Sequence, residues 1–318
     1  MDIKTLVSNE DLLKYDELVN ISKSAFIFQT RPYLESLKKL GYEYEILGYF
    51  NGDVLESAIA VQKKKFPLFK KYFYAIPYGI VSRVDVLDEN IIAGFISYLK
   101  KKAYIIKLSM NEKLEKPEFK NSGYQTTIMI DLNESFDYIF ENFSKTHRNC
   151  SRRALKDGVK VDIRSDLKTI DIFIDLYREL MNKKAIEMID LDFLRNCLKN
   201  LVENKLGFFA VASYNDVIYN IAFITTVGKK ARYLYGASRR AEDKIPPVGQ
   251  FLHYEIIRYL KENDFSTYDL GGIPNPPVDE NDSAYSVYKF KKGFGGNTII
   301  LCYDYYYTKY RIFKYLIR

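Results

Sequence analysis

The chain has 318 residues, 47% hydrophobic and 28% charged, with a formal net charge of +7. That length exceeds one ordinary core and implies two domains of roughly 100–200 residues each, and the composition excludes long disordered spans. Three scattered cysteines (Cys150, Cys197, Cys302) give no disulfide framework, and His147 and His253 lack any ligand spacing, so no metal site is expected.

Asp2, Glu10, Asp11 and Asp16 interrupt every apolar run near the start, so no signal peptide is expected. No apolar stretch reaches the roughly 20 residues of a bilayer span. The expectation is a cytoplasmic protein, with peripheral contact at the inner membrane face. Its positive charge has two readings of equal weight: attraction to phosphates, tRNA or an anionic membrane, or the lysine excess that an AT-rich genome produces.

In chain order, the first strong signal is a hairpin. Tyr44–Phe50 and Val54–Val61 flank Asn51-Gly52, whose residues tolerate positive φ. A lysine cluster (Lys63 to Lys65) and the aromatic strand Tyr72–Pro77 follow, then a helix over Ile91–Lys102 and a strand over Tyr104–Leu108. The same order recurs later. Gly207–Tyr214 and Val217–Ile224 flank Asn215-Asp216, Lys229 and Lys230 precede the strand Ala231–Gly236, and a helix over Val248–Glu262 leads to Ser266–Leu270. Two such units argue for a duplicated α/β (α+β) domain with mixed sheets and a boundary near 135–145.

Between the copies lies a cationic helix over 144–157 that stops at Gly158. Helical spacing puts Lys145, Arg148 and Arg152 on one face, with Asn149, Arg153 and Lys156 on an adjoining one. This is either a track for a phosphate backbone or a solvated face whose cations pair with nearby acids; the second is the commoner arrangement.

Three further stretches carry possible chemistry. Asp269-Leu270-Gly271-Gly272 ends a strand with two glycines, and Asp269 is either a general base or an acceptor that ties down the glycine turn. Phe290-Lys291-Lys292-Gly293-Phe294-Gly295-Gly296 sets cations beside a hinge, where a lysine can stabilise a developing oxyanion, or is only a turn. Pro274–Tyr285 reads as an irregular loop suited to a substrate lid. Motifs for a serine nucleophile, a P-loop or a dinucleotide fold are absent. Ile245-Pro246-Pro247-Val248-Gly249-Gln250 sits where an acetyl-CoA-dependent enzyme would cradle pyrophosphate, but prolines lack amide donors.

Taken in order, these pieces resemble the Fem family, the FemABX-type transferases of the peptidoglycan interpeptide bridge. The resemblance is carried by Gly123–Leu132, Lys145-Thr146-His147-Arg148-Asn149, Arg153–Val161, Tyr233–Ser238, Tyr268–Ile273, and Phe290-Lys291 with Phe294-Gly295-Gly296. It covers most of the chain and is dense from 120 to 300. The wider Fem/GNAT-like group, some of whose members act in capsule or polysaccharide assembly, shares the order.

The resemblance implies two GNAT-like domains, 1–138 and 139–299, each a mostly antiparallel mixed sheet flanked by helices. It also implies that 300–318 returns to the first domain; with no long heptad insertion, the chain looks like the shorter members without a coiled-coil arm. The implied reaction is transfer from an aminoacyl-tRNA to an amine of a lipid-linked or nucleotide-linked muropeptide precursor, without a cofactor. Lys291 is the implied reaction-centre lysine, with Asp269 beside it, and Tyr235, Gly271, Gly272 and Phe290 line the substrate site. Lys145, Arg148, Arg152, Arg153 and Lys156 are the implied tRNA or phosphate contacts. On the acceptor side the pattern departs from the family. Gln29, Tyr33 and Lys38 match with the lysine one residue out of step, and Lys183 and Lys184 stand in for an arginine. Two rivals remain: an acyl-CoA-dependent N-acyltransferase, and a non-catalytic RNA- or membrane-binding relative.

Overall fold

The computed structural model describes residues 3–65, 72–184, 188–239 and 244–310; the side chains of Lys183 and Lys184, both named above, lie outside the described set. The chain divides into two compact units, Met1–Gln125 with Ile300–Arg318, and Thr126–Ile299.

The first unit opens with β1 (Ile3–Thr5), α1 (Asn9–Ile21) and α2 (Arg31–Ser36). Ser8 caps α1 by accepting the Asp11 N–H at 3.0 Å, and Glu10 and Asp11 complement the positive end of the helix dipole. β2 (Glu43–Asn51) and β3 (Val54–Lys65) form the expected hairpin, shifted by one residue: Asn51 pairs with Val54, so the turn residues are Gly52 and Asp53. β4 (Tyr72–Ile76) runs antiparallel to β3, and the short β5 (Ile80–Ser82) pairs β3 further along. α3 (Glu89–Lys102) then crosses to β6 (Ala103–Met110), which lies parallel to β4. Asp88 caps α3, and Lys100, Lys101 and Lys102 occupy its last turn, where cations suit the dipole. Leu47, Ile59, Tyr74, Phe95, Leu99 and Ile106 form the centre of this unit's core.

The second unit repeats this order. β7 (Lys120–Asp131) leads into α4 (Phe136–Glu141) and the cationic α5 (Lys145–Lys156), and β8 (Lys160–Arg164) follows. α6 (Lys168–Lys184) and α7 (Leu191–Glu203) precede the hairpin of β9 (Gly207–Tyr214) and β10 (Val217–Val227). Tyr214 pairs with Val217, and both turn residues adopt positive φ, 48° at Asn215 and 61° at Asp216, as a tight two-residue hairpin requires. β11 (Lys230–Ser238) is antiparallel to β10, and α8 (Val248–Glu262) crosses to β12 (Thr267–Ile273), parallel to β11. α9 (Tyr285–Lys292) and β13 (Asn297–Thr308) end the described chain.

Each unit is thus a mixed, mostly antiparallel sheet with helices against it, as the duplicated pattern requires. The last strand of each is exchanged. β6 is joined antiparallel by β13, with Tyr303 opposite Met110, and β12 is joined antiparallel by β7, with Tyr268 opposite Ile130. The division falls between Gln125 and Thr126 rather than at 138/139 because β7 from Thr126 onward is part of the second sheet. Among the described residues no helix is long and apolar enough to cross a membrane.

Candidate active site

β11 and β12 are parallel neighbours over only three residue pairs, Lys230 with Thr267, Ala231 with Tyr268 and Arg232 with Asp269. Beyond Arg232 and Asp269 the strands part: β11 continues to Ser238 beside β10, and β12 continues to Ile273 beside β7. The parallel ladder therefore ends part-way along the sheet of the second unit, at the carboxyl ends of two parallel strands, where α/β sheets characteristically receive ligands.

Asp269 builds the turn at this point. It pairs with Met129 of β7, and the next register pair is Gly272 with Thr127, so β12 carries one residue more than β7 across this step. This is a β-bulge, and bulges re-aim strands next to sites. Gly271 holds φ +79°, and a Cβ there would lie 3.1 Å from the Tyr233 carbonyl oxygen and 3.4 Å from Lys291 Nζ. The Asp269 carboxylate accepts the Gly271 N–H at 2.7 Å and the Thr127 hydroxyl, and its other oxygen lies 3.0 Å from Arg232 Nη1. Asp269 is only 2% exposed, so these partners account for its charge. The geometry fits the turn-tying acceptor rather than a base facing substrate.

Lys291 comes from the last turn of α9 and donates to the Gly272 carbonyl at 2.8 Å. Burial pushes its amine down to about 8, with Arg232 acting in the same direction and Asp269 opposing. The C-terminal end of α9 is anchored on α5. Ser144 donates its backbone N–H to the Gly293 carbonyl at 2.8 Å, and His147 Nε2 bonds the Phe290 carbonyl at 2.9 Å. His147 also stacks edge-on against Phe294 with centroids 4.6 Å apart. Phe290 packs on His147, His253 and Phe294. His253 is buried against Tyr268, 3.0 Å from its hydroxyl, and burial foremost, with the Lys291 charge second, drives its ring down to about 3. His253 is neutral at physiological pH.

The remaining sequence candidates divide. Tyr235 is half-buried on the diverging part of β11, opposite Phe223. Lys38 belongs to the other unit, where it pairs with Glu35 at 2.6 Å. On α5 one cation of the expected phosphate track turns back into the fold. Arg148 donates to the Glu141 carbonyl at 2.6 Å and to the Phe143 carbonyl, closing the end of α4. Arg152 lies over the Phe140 ring at 5.3 Å, and Arg153 pairs with Asp157 at 3.2 Å. Lys145, Arg152, Arg153 and Lys156 are all exposed. Sequence reading missed Arg232, Thr127 and His253 as members of this site. Strand pairing brings Arg232 and Thr127 to the site and the packing of α8 brings His253, although Arg232 immediately precedes the quoted Tyr233–Ser238 motif.

An acetyltransferase (GNAT) domain model matches residues 141–289. The lipid II:glycine glycyltransferase of Staphylococcus epidermidis is 22% identical across 72% of this chain and 76% of its own length, and that of Staphylococcus haemolyticus is 20% identical across 92% and 89%. Among solved structures, FemX superposes with a TM-score of 0.82 at 18% identity, covering 100% of both chains. A tandem GNAT protein of clavulanic acid biosynthesis gives 0.51 at 9% identity, covering 96% of this chain and 97% of its own. The chain has the GNAT fold and is similar in sequence to the lipid II:glycine glycyltransferases.

The GNAT fold raises the question of coenzyme A, whose pyrophosphate would lie at the start of α8. The residues there do not fit it. Pro246 and Pro247 offer no amide hydrogens, and the Val248 N–H bonds the Pro246 carbonyl at 2.8 Å. The Phe290 ring and the Asn220 amide lie within 3.9 Å of where a Gly249 side chain would begin. The start of α8 is thus covered by protein groups.

Proposed function

We propose that the chain transfers an aminoacyl group from an aminoacyl-tRNA to a primary amine on the peptide of a lipid-linked peptidoglycan precursor, working at the cytoplasmic membrane face. The observation that carries this reading is Lys291 Nζ, held where the β11/β12 ladder ends by the Gly272 carbonyl 2.8 Å away, its one hydrogen-bond partner among the described residues. An ammonium has three hydrogens, so two remain for a ligand oxygen. The relatives' name, lipid II:glycine glycyltransferase, supports a lipid-linked acceptor and makes glycine the first amino acid to test.

In this reading the acceptor nitrogen attacks the ester carbonyl carbon. The new C–N bond forms while the carbonyl oxygen gains negative charge, and the Lys291 ammonium stabilises that oxyanion by a charge-assisted hydrogen bond. Collapse breaks the C–O ester bond, and the departing ribose oxygen takes up the proton that the amine loses. His147 and His253 are buried and engaged with Phe290 and Tyr268, so the proton passes through substrate or water rather than through a dedicated histidine. Exposed Lys145, Arg152, Arg153 and Lys156 are the α5 cations that would meet tRNA phosphates.

The test offers the purified protein radiolabelled glycyl-tRNA, a pool of other aminoacyl-tRNAs, acetyl-CoA and a lipid-linked precursor. Label passing from tRNA to precursor, and lost in Lys291→Ala, supports the reading. Label passing only from acetyl-CoA replaces it with an acyl-CoA-dependent transferase, despite the prolines.

A further inference from the structure

We propose that Arg232 and Asp269 act as a positioning pair for Lys291, fixing through the Asp269–Gly271 turn where its ammonium sits and, through their opposed charges, how readily it keeps its proton. The inference rests on the reading of Lys291 as the oxyanion-binding cation.

The pair occupies the last rung of the parallel ladder, so it is the point from which β11 and β12 diverge. Its carboxylate reaches two residues ahead to the Gly271 N–H at 2.7 Å, which locks the positive φ of +79° there. That turn presents the next carbonyl, Gly272, to Lys291 Nζ at 2.8 Å. A second strand is tied in by the Thr127 hydroxyl, so three strands converge on one carboxylate. Arg232 and Asp269 side chains are 13% and 3% exposed, and charges so sheltered from water act strongly on a neighbouring amine.

The groups facing Lys291 are Asp269 from β12, Arg232 from β11 and His253 from α8, with His147 of α5 behind Phe290. Both histidines are held below their ordinary range by burial, so neither changes charge above pH 7. Asp269 favours the protonated amine and Arg232 disfavours it. Removing each charge therefore shifts Lys291 in opposite directions, which a merely structural pair would not do.

The experiment compares the full chain with Asp269→Asn, Arg232→Met and the double variant Asp269→Asn/Arg232→Gln between pH 7 and 10.5. Two quantities are read: the alkaline limb of kcat, and the titration of reductively 13C-methylated Lys291, assigned by Lys291→Arg. Asp269→Asn should move both downward by about one pH unit or more, and Arg232→Met should move both upward. The uncharged double variant, which leaves no lone buried charge to unfold the protein, should titrate nearer to the parent than either single variant. Shifts in the same direction, or none, would overturn the inference while leaving Lys291 essential. Full activity in Lys291→Ala would instead overturn the reading on which it rests.

Discussion

Gly293 lies directly against the imidazole of His147: a Cβ on that glycine would fall 2.2 Å from His147 Cε1 and 2.5 Å from both ring nitrogens. The same ring holds the Phe290 carbonyl, one residue before Lys291. The glycine of the Phe290–Gly296 motif is thus explained by a histidine 146 positions upstream (293 − 147). Two segments that a linear reading treats as separate motifs form one anchored helix end.

Lys291→Met should lower turnover by about 10²–10³-fold, the usual effect of deleting one oxyanion donor. Stability should move the other way. The folded amine, at about 8, lies below its ordinary 10.5, so the unfolded chain binds more protons between those values and Lys291's contribution becomes more favourable as pH rises through that window. Below pH 8 the charge is a burden that methionine removes. Thermal unfolding at pH 7 should show an equal or higher Tm for the variant; a drop of several degrees would contradict this account.

His253 predicts an acid-sensitive fold. Its folded value of about 3 is below the ordinary 6.5, so its stabilising contribution is present above 6.5 and lost as pH falls from 6.5 towards 3. One proton corresponds to a slope of at most about 1.4 kcal/mol per pH unit. Urea unfolding at pH 7, 6 and 5 should show a flatter pH dependence in His253→Gln than in the parent. Parallel slopes would assign the acid sensitivity elsewhere.

Gly295 tests the anchor after α9. It has φ +79°, and a Cβ there would meet the Asn142 backbone oxygen at 2.2 Å. Gly295→Ala should destabilise by about 2–4 kcal/mol, since strain and a backbone clash combine. Gly52→Ala, with φ +58° but nothing within 4 Å, should lose only about 1–2 kcal/mol. Equal losses in chemical denaturation would show that conformation, not the clash, sets the effect.

The cations of α5 should separate by role. Arg148→Ala removes the donors to the Glu141 and Phe143 carbonyls and should lower stability by about 1–3 kcal/mol. Lys145→Ala/Lys156→Ala should leave Tm within about a degree, and if these lysines meet tRNA it should reduce the salt dependence of tRNA binding by close to two charges. Filter binding at several salt concentrations reads that slope directly.

The duplicated hairpins were legible because Asn51-Gly52 and Asn215-Asp216 break apolar runs at residues that tolerate positive φ, and α8 spans the Val248–Glu262 read from its apolar stripe. Lys291 drew attention because a cation beside glycines is chemically suggestive. The Arg232–Asp269 pair was illegible for a topological reason: its members come from two strands that a helix crossover makes parallel neighbours. Nor does spacing along α5 reveal that Arg148 turns back to the carbonyls of α4 instead of facing solvent. Helical periodicity gives a side chain's direction, not its partner. The helices α1, α2 and α7 are not legible from the strand signals that mark the duplication, which lie outside them.

The exchanged strands also bear on how the protein emerges from a ribosome. Everything that pairs around β12 lies between Thr126 and Ile273, so the second sheet can be assembled from one continuous stretch of nascent chain. The first sheet cannot. Its β6 edge stays open until Tyr303–Thr308 has been made, so the half translated first is the half completed last. A truncation at Gln125 would leave that edge, Ile105 to Met110, exposed to any other strand that could pair with it.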